Sequence, residues 1–331
     1  MDNLTHTLTG IALSRAGLNR WCPHAAAVLV LSSNAPDIDA VAGFWGATTY
    51  LHYHRHLTHA LVSIPVLALL CAASVALLFR KSIKLRRDAF RLTATAAVGV
   101  ALHQGMDFTN IYGIRLLLPF SSEWLRLDII NIVDLWLWVV LFLAATAPLL
   151  SRLVNSEIGA KGGSGRGLAV LALSFLVLYS GARAVLHARA VETLNSRLYA
   201  GQLPRRTAAF PSFWNPFAWR GLVETDSFYS LHELDLLEQF DPTAGRTLYK
   251  IARDEVTEAA SRTEAFRVFL AFSPYTFWRI EKDTEEGLLR VEAMDLRFGA
   301  PPEPRFVATA IVDTAGRVRS SQFGFGPLRP R

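Results

Sequence analysis

Cysteine is scarce in this chain: two residues, Cys22 and Cys71, in 331. Both sit in apolar surroundings and no CxxC occurs. That excludes a disulfide framework and reads the two thiols as small buried hydrophobes. Charge is thin as well, at 19% of residues against 51% hydrophobic, and the mean hydropathy of +0.26 is high for a soluble protein. The start, Met1-Asp2-Asn3-Leu4-Thr5-His6, has neither a basic n-region nor a cleavage site, so no removable signal peptide is expected and the first spans act as the insertion signal. Internal repeats are missing. The net charge of +6 has no nucleic-acid motif behind it; much of the excess falls in short loops, where it reads as a topology signal.

What the chain has is long apolar runs confined to one part. Residues 1–190 hold them, while 191–331 have the composition of an ordinary soluble domain, so two domains are expected, 1–190 and 191–331. Four segments read as spans: Ala60–Phe79, Leu92–Asp107 (richer in small residues), Ile129–Leu150 and Gly167–Leu186. Leu4–Leu18 and His24–Val41 are shorter, either packed in the bundle or re-entrant. Arg80, Lys81, Lys84, Arg86, Arg87 and Arg91 mark the loop after the first strong span as cytoplasmic; Arg15 and Arg20, and the Gly/Ser-containing loop Ser151–Arg166, read the same way. This topology places the C-terminal domain outside the cytoplasm. There, Val223–Leu231, Leu288–Phe298, Phe306–Val312 and Arg317–Phe323 have strand character, Thr314-Ala315-Gly316 signals a hairpin, and Asp254–Leu270 has helical spacing. The expected fold is an α-helical multi-span membrane bundle followed by a small α+β soluble domain built on an antiparallel sheet.

The histidines are unevenly placed. Seven of nine precede residue 104, and they keep company with carboxylates at segment edges: His6; Asn34-Ala35-Pro36-Asp37-Ile38-Asp39; His54-Arg55-His56-Leu57-Thr58-His59; and His103-x-x-x-Asp107. Imidazole with carboxylate is the ligand set of a zinc or other divalent-metal centre. His103 and Asp107 share a helix face, either on one ion or in a helix-end hydrogen bond. Asp37-x-Asp39 either binds a divalent ion or caps a helix. Arg55 reads as an anion clamp or a lipid-phosphate contact, and Thr58 as a cap or a support for a ligand. Asp134, inside an apolar run, has no solvent-facing reading and is expected, with Asn34 and Thr58, behind the ligands. The topology set by Lys and Arg brings all these groups to the outer face.

Together with Asp2-Asn3-Leu4-Thr5-His6-Thr7-Leu8-Thr9-Gly10, these four motifs in order resemble the YdjM-like family of bacterial inner-membrane proteins, classed as membrane-bound metal-dependent hydrolases. The resemblance covers roughly the first half. A looser likeness to longer members runs through Asn215-Pro216-Phe217-x-Trp219-Arg220-Gly221-x-Val223-Glu224-Thr225 and Asp295-Leu296-Arg297-Phe298. The family's distant similarity to zinc-dependent phospholipase C and P1-type nucleases implies phosphoester hydrolysis, a fold-level analogy. The resulting expectation is a hydrolase of the inner membrane acting on a phosphoester or lipid-linked substrate. His6, Asp37, Asp39, His54, His59, His103 and Asp107 would be ligands to a divalent metal, zinc being the expectation, with Asp37, Asp39 and Arg55 assisting the chemistry. Seven groups exceed one tetrahedral zinc, so they imply more than one ion or a supporting layer. The rival reading is a non-catalytic metal-binding membrane protein: a sensor, a transport component or a scaffold.

Overall fold

The computed structural model describes residues 1–158, 165–283, 287–313 and 315–326. Residues 159–164 of the expected Gly/Ser loop and Thr314 of the hairpin turn lie outside them. The chain forms two compact units. The first comprises Met1–Asp39, Arg55–Arg189 and Phe210–Ala218; the second comprises Ala40–His54, Ala190–Ala209 and Trp219–Arg331.

The first unit is helical. Helix α1 (Asn3–Leu13) starts where the Asp2 carboxylate accepts from the Thr5 amide at 3.0 Å. A single turn, α2 (Asn19–Trp21), leads to α3 (Ala25–Ser32), and a 3-10 helix over Pro36–Trp45 follows. Small residues let these helices meet closely. A Cβ added to Gly10 would lie 3.1 Å from Leu29 O, and one added to Gly99 would collide with Ser32. Gly99 belongs to α6 (Leu85–Phe108), so α3 is held tightly between α1 and α6. Helix α5 (Ile64–Leu78) runs back along α6 through Ala68, Cys71, Ala72, Val75, Leu92 and Ala96, and Cys22 joins the same core. Both thiols are free and buried, as their surroundings imply. Helices α7 (Leu135–Ile158) and α8 (Arg166–Asn195) close a second core with Leu8, Met106, Leu137, Leu141 and Ala172.

Among the described residues, two helical stretches are long and apolar enough to cross a membrane: Leu61–Leu78 and Arg166–Asn195. A third appears if Ala25–Ser32 and Pro36–Trp45, bent by 42°, count as one broken span. Four spans were expected, the one over 92–107 weaker than the rest. The 92–107 segment falls short because its C-terminal end carries His103, Gln104 and Asp107, all buried. The 129–150 segment is helical only from Leu135. Before that, the Ile129 and Ile130 amides donate to Thr109 O, and the Asp134 carboxylate caps the helix by accepting from the Trp136 and Leu137 amides at 3.1 Å.

The second unit carries two four-stranded sheets, β1-β2-β3-β4 and β5-β6-β7-β8. The strands are β1 (Arg206–Pro211), β2 (Ala218–Glu224), β3 (Phe228–Asp235), β4 (Arg246–Tyr249), β5 (Thr276–Lys282), β6 (Leu288–Asp295), β7 (Val307–Asp313) and β8 (Val318–Gly324). All pairs of the second sheet are antiparallel, with β7 and β8 flanking the predicted hairpin. The strand expected over 223–231 is two strands. Thr225 ends the first: its amide donates to Phe228 O and its Oγ1 accepts from the Phe228 amide, closing a turn. The helix expected over 254–270 is likewise two, α9 (Glu255–Ser261), opened by an Asp254–Thr257 capping box, and α10 (Glu264–Phe272). Phe266, Phe269 and Phe272 share the buried face of α10, at i, i+3 and i+6. The short helix α4 (Ala47–Tyr53) packs on α10 and β8 in this unit, with Tyr50 edge-on to Phe325.

The tail motifs have structural work. Arg297 is fully buried between the rings of Phe272 and Phe298, and its guanidinium holds both Asp295 oxygens. Arg220 donates to Arg297 O, and Trp219 is a fully buried core residue.

Candidate metal centre

Four side chains from three separate stretches converge in the first unit. Asp37 comes from the start of the Pro36–Trp45 turn, where Pro36 sets the backbone after α3. His59 ends the short 3-10 helix Leu57–His59. His103 and Asp107 stand one turn apart near the C-terminal end of α6. One ligand atom from each of the four lies within 4.8 Å of the other three. His59 Nε2 is 3.3 Å from Asp37 Oδ1, 3.5 Å from Asp107 Oδ2 and 3.1 Å from His103 Nε2. His103 Nε2 is 3.4 Å from Asp107 Oδ2. The two imidazoles and Asp107 are sealed from solvent, whereas the Asp37 side chain keeps 11% of its exposure.

The opposite edges of the two imidazoles decide their chemistry. His103 Nδ1 sits 2.7 Å from Ser33 O, a pure acceptor, so that nitrogen carries the proton. His59 Nδ1 sits 2.9 Å from Asp39 Oδ2, a carboxylate, with the same consequence. With Nδ1 so engaged, each ring turns its Nε2 toward the other and toward two carboxylates. Two such nitrogens and two carboxylates gathered in a buried space suit a cation among them. The donor set, two imidazole nitrogens and two carboxylate oxygens, has the count and hardness of a zinc-class divalent ion. Asp107 also meets the Arg55 guanidinium and accepts from the Met1 amino group. Asp107 Oδ2, buried and without a hydrogen bond, faces the same space. The residues fit a metal.

The other predicted residues fall around this group. Asp39 accepts from the Arg55 amide at 3.0 Å and the Thr58 hydroxyl at 2.5 Å besides holding His59, so it braces a ligand. Thr58 therefore supports Asp39. Asn34 ties α3 to α1 through Val30 O and Thr7 Oγ1. His6 stacks on His103 with centroids 3.9 Å apart. Its Nε2 is 3.4 Å from Asp107 Oδ1, and both its nitrogens are buried without a hydrogen bond, leaving them available to an ion. Arg55 adopts a left-handed backbone (φ 58°). Its guanidinium reaches Asp107 Oδ1 at 3.2 Å and donates to Asn110 Oδ1 and Gly113 O at 3.0 Å. His54 belongs to the second unit, where it stacks on Tyr50. Asp134 caps α7 and accepts from Tyr179 OH at 3.1 Å.

Sequence reasoning missed four participants. Met1 donates its amino group to Asp107 Oδ1, Ser33 fixes the His103 tautomer, Asn110 holds Arg55, and the Tyr112 ring lies 4.7 Å under the Arg55 guanidinium. Asn110 carried a usable signal, three positions beyond Asp107. Ser33 acts through its carbonyl, which no side-chain pattern reveals.

With this geometry in hand, the relatives are informative. A family model described as YdjM inner membrane protein matches residues 1–190, and one described as YfhP C-terminal alpha/beta plait domain matches residues 255–326. The chain is 26% identical over 342 residues to the uncharacterized protein YfhP of Bacillus subtilis (strain 168), an alignment covering 98% of this chain and 95% of that protein. No solved structure matches it.

Proposed function

This chain belongs to the YdjM inner membrane protein family, and from that premise we propose that it is a membrane-embedded, metal-dependent hydrolase of phosphoester or lipid-linked substrates. The observation that carries the reading is the pair of imidazole Nε2 atoms turned toward two carboxylates in a buried cluster. A zinc-class ion bound there supplies Lewis acidity and an acidified water. Asp37, His59, His103 and Asp107 would hold it, and His6 stands beside them. Asp37, the least buried of the four, is the member placed to accept a proton from the side that substrate reaches. Asp39 keeps His59 in its tautomer, and Arg55, anchored on Asp107 and Asn110, sets a positive charge next to the reacting region.

We also place the centre at the extracytoplasmic side. Supporting this, α5 leads away from His59 to Arg80 and α6 returns from Leu85 to His103 and Asp107, so the basic loop 80–91 lies at the far end of the α5–α6 pair from the site. The 15 residues of α5 span about 22 Å at helical rise.

The test pairs metal analysis with turnover. Detergent-purified protein should hold a divalent metal by elemental analysis and cleave at least one member of a phosphoester and phospholipid panel. Asp37→Ala and His59→Ala should abolish cleavage while the helical circular-dichroism signal persists. Metal with no turnover on any substrate would favour a sensor, transport component or scaffold; no metal at all would end both readings.

A further inference from the structure

Four arginines are buried among the described residues: Arg55, Arg115, Arg183 and Arg297. Three are provided for. Arg297 holds Asp295, Arg55 holds Asp107 and Asn110, and Arg183 donates to the carbonyls of Ile129 and Pro216. Arg115 differs. It is 6% exposed, its Nε is sealed and unbonded, and its guanidinium makes no ion pair or hydrogen bond with any described residue. What it has is a ring: its guanidinium carbon lies 4.5 Å over Trp124.

Local structure explains the pairing. Ile114 and Leu125 exchange both backbone hydrogen bonds at 2.9 Å, an isolated antiparallel bridge that sets Arg115 beside Trp124. Gly113, at φ +91°, lets the chain turn where a Cβ would press on Leu125 O at 3.3 Å. The same loop is docked to the metal-site segment. The Arg115 amide donates to Arg55 O at 3.4 Å and the Leu61 amide to Leu116 O at 3.0 Å. Trp124 meets Tyr112 edge-on at 5.9 Å, and Tyr112 underlies Arg55. Two guanidiniums thus lie on two touching aromatic rings.

A guanidinium removed from water without an anion is costly, and a ring face returns only part of that cost. The ring also covers only the face. The four N–H donors of its two terminal nitrogens lie in the guanidinium plane and stay open to a planar, two-pronged acceptor. We propose that Arg115 is the anchor of an oxyanion-binding site beside the metal centre, taking a phosphate group as its ligand. The phosphate is either that of a lipid headgroup or free in solution; Leu117, Phe120 and Leu127, exposed apolar residues of the same loop, suit the first. The hydrolase reading is needed only for making this phosphate the substrate's own.

The probe is binding without metal. Chelator-treated full-length protein in phosphatidylcholine nanodiscs is titrated with inorganic phosphate, and separately reconstituted with phosphatidic acid replacing part of the phosphatidylcholine. The readout is the part of the tryptophan emission that Trp124→Phe removes. Saturable change with either probe is expected, the responding probe naming the source. Arg115→Gln should abolish it, and Arg115→Lys, which keeps the charge but loses the fork, should weaken it on the order of tenfold. Wild-type protein silent to both probes, or Arg115→Gln responding like wild type, overturns the site. Metal content measured on the same samples separates the two proposals. Phosphate binding without any metal uptake by untreated protein sinks the hydrolase and leaves Arg115 standing. Intact metal and turnover with an indifferent Arg115→Gln does the reverse.

Discussion

Asp39 concentrates the residue-scale argument. One of its oxygens meets a backbone amide, a hydroxyl and an imidazole, and through the last of these it decides which His59 nitrogen is free. Asp39→Asn preserves the shape but removes the charge that orients the ring. Metal affinity should fall about 10–100-fold, read by competition with a chromophoric chelator. Asp107→Asn should do more, because it removes a ligand and leaves Arg55 without its buried anion; metal content should drop to background. Most of this centre was legible because imidazoles and carboxylates at segment edges have few other uses. Illegible were the partners that act through backbone, such as Ser33, and the sorting of seven candidates into ligands and braces, which needs distances.

At the level of elements, the aromatic face of α10 holds the second sheet. Phe269 is fully buried and contacts the ring of Phe323 on β8 at 5.9 Å. Phe269→Ala should cost roughly 3–5 kcal/mol, measured by chemical unfolding of full-length protein. Strand β3 carries a pH dependence. His232 is buried, bonded to Ser230 Oγ at 2.8 Å, and packed edge-on to Tyr199 and Phe240. Burial pushes its pKa below the ordinary histidine value, and the nearby Asp241 charge pulls part of the way back. The folded ring therefore stays neutral at pH values where the unfolded one, titrating near about 6.5, takes a proton. Its contribution is whole above that pH and is lost as pH falls below it. Amide exchange in β3 should speed up on acidification, and His232→Gln should flatten that response; equal slopes in both proteins would refute the assignment. Periodicity located these elements well where a hairpin or amphipathic face repeated cleanly, as in β7–β8. It ran together β2 with β3, and α9 with α10, because Thr225 and Thr263 break the backbone by hydrogen bonding without interrupting the polar–apolar rhythm.

For the whole molecule, composition separated an apolar first part from an ordinary second part, but it had no means of showing that the chain leaves the first unit after Asp39 and returns at Arg55. The fifteen residues between, Ala40–His54, belong to the second unit, where α4 rests on α10 and β8. Orientation in the membrane is tested by single cysteines placed in 191–331 and treated with a membrane-impermeant maleimide on intact cells. Labelling is expected, and protection would put the domain in the cytoplasm.

The return of the chain at Arg55 bears on how such a protein can be divided. Asp39 and Arg55 are joined by a 3.0 Å hydrogen bond at the neck of the excursion, and both flank the metal-binding groups. A gene cut at codon 190 would not release two self-sufficient modules. The upstream product would inherit a strip of fabric woven for the downstream one, its apolar weave turned outward.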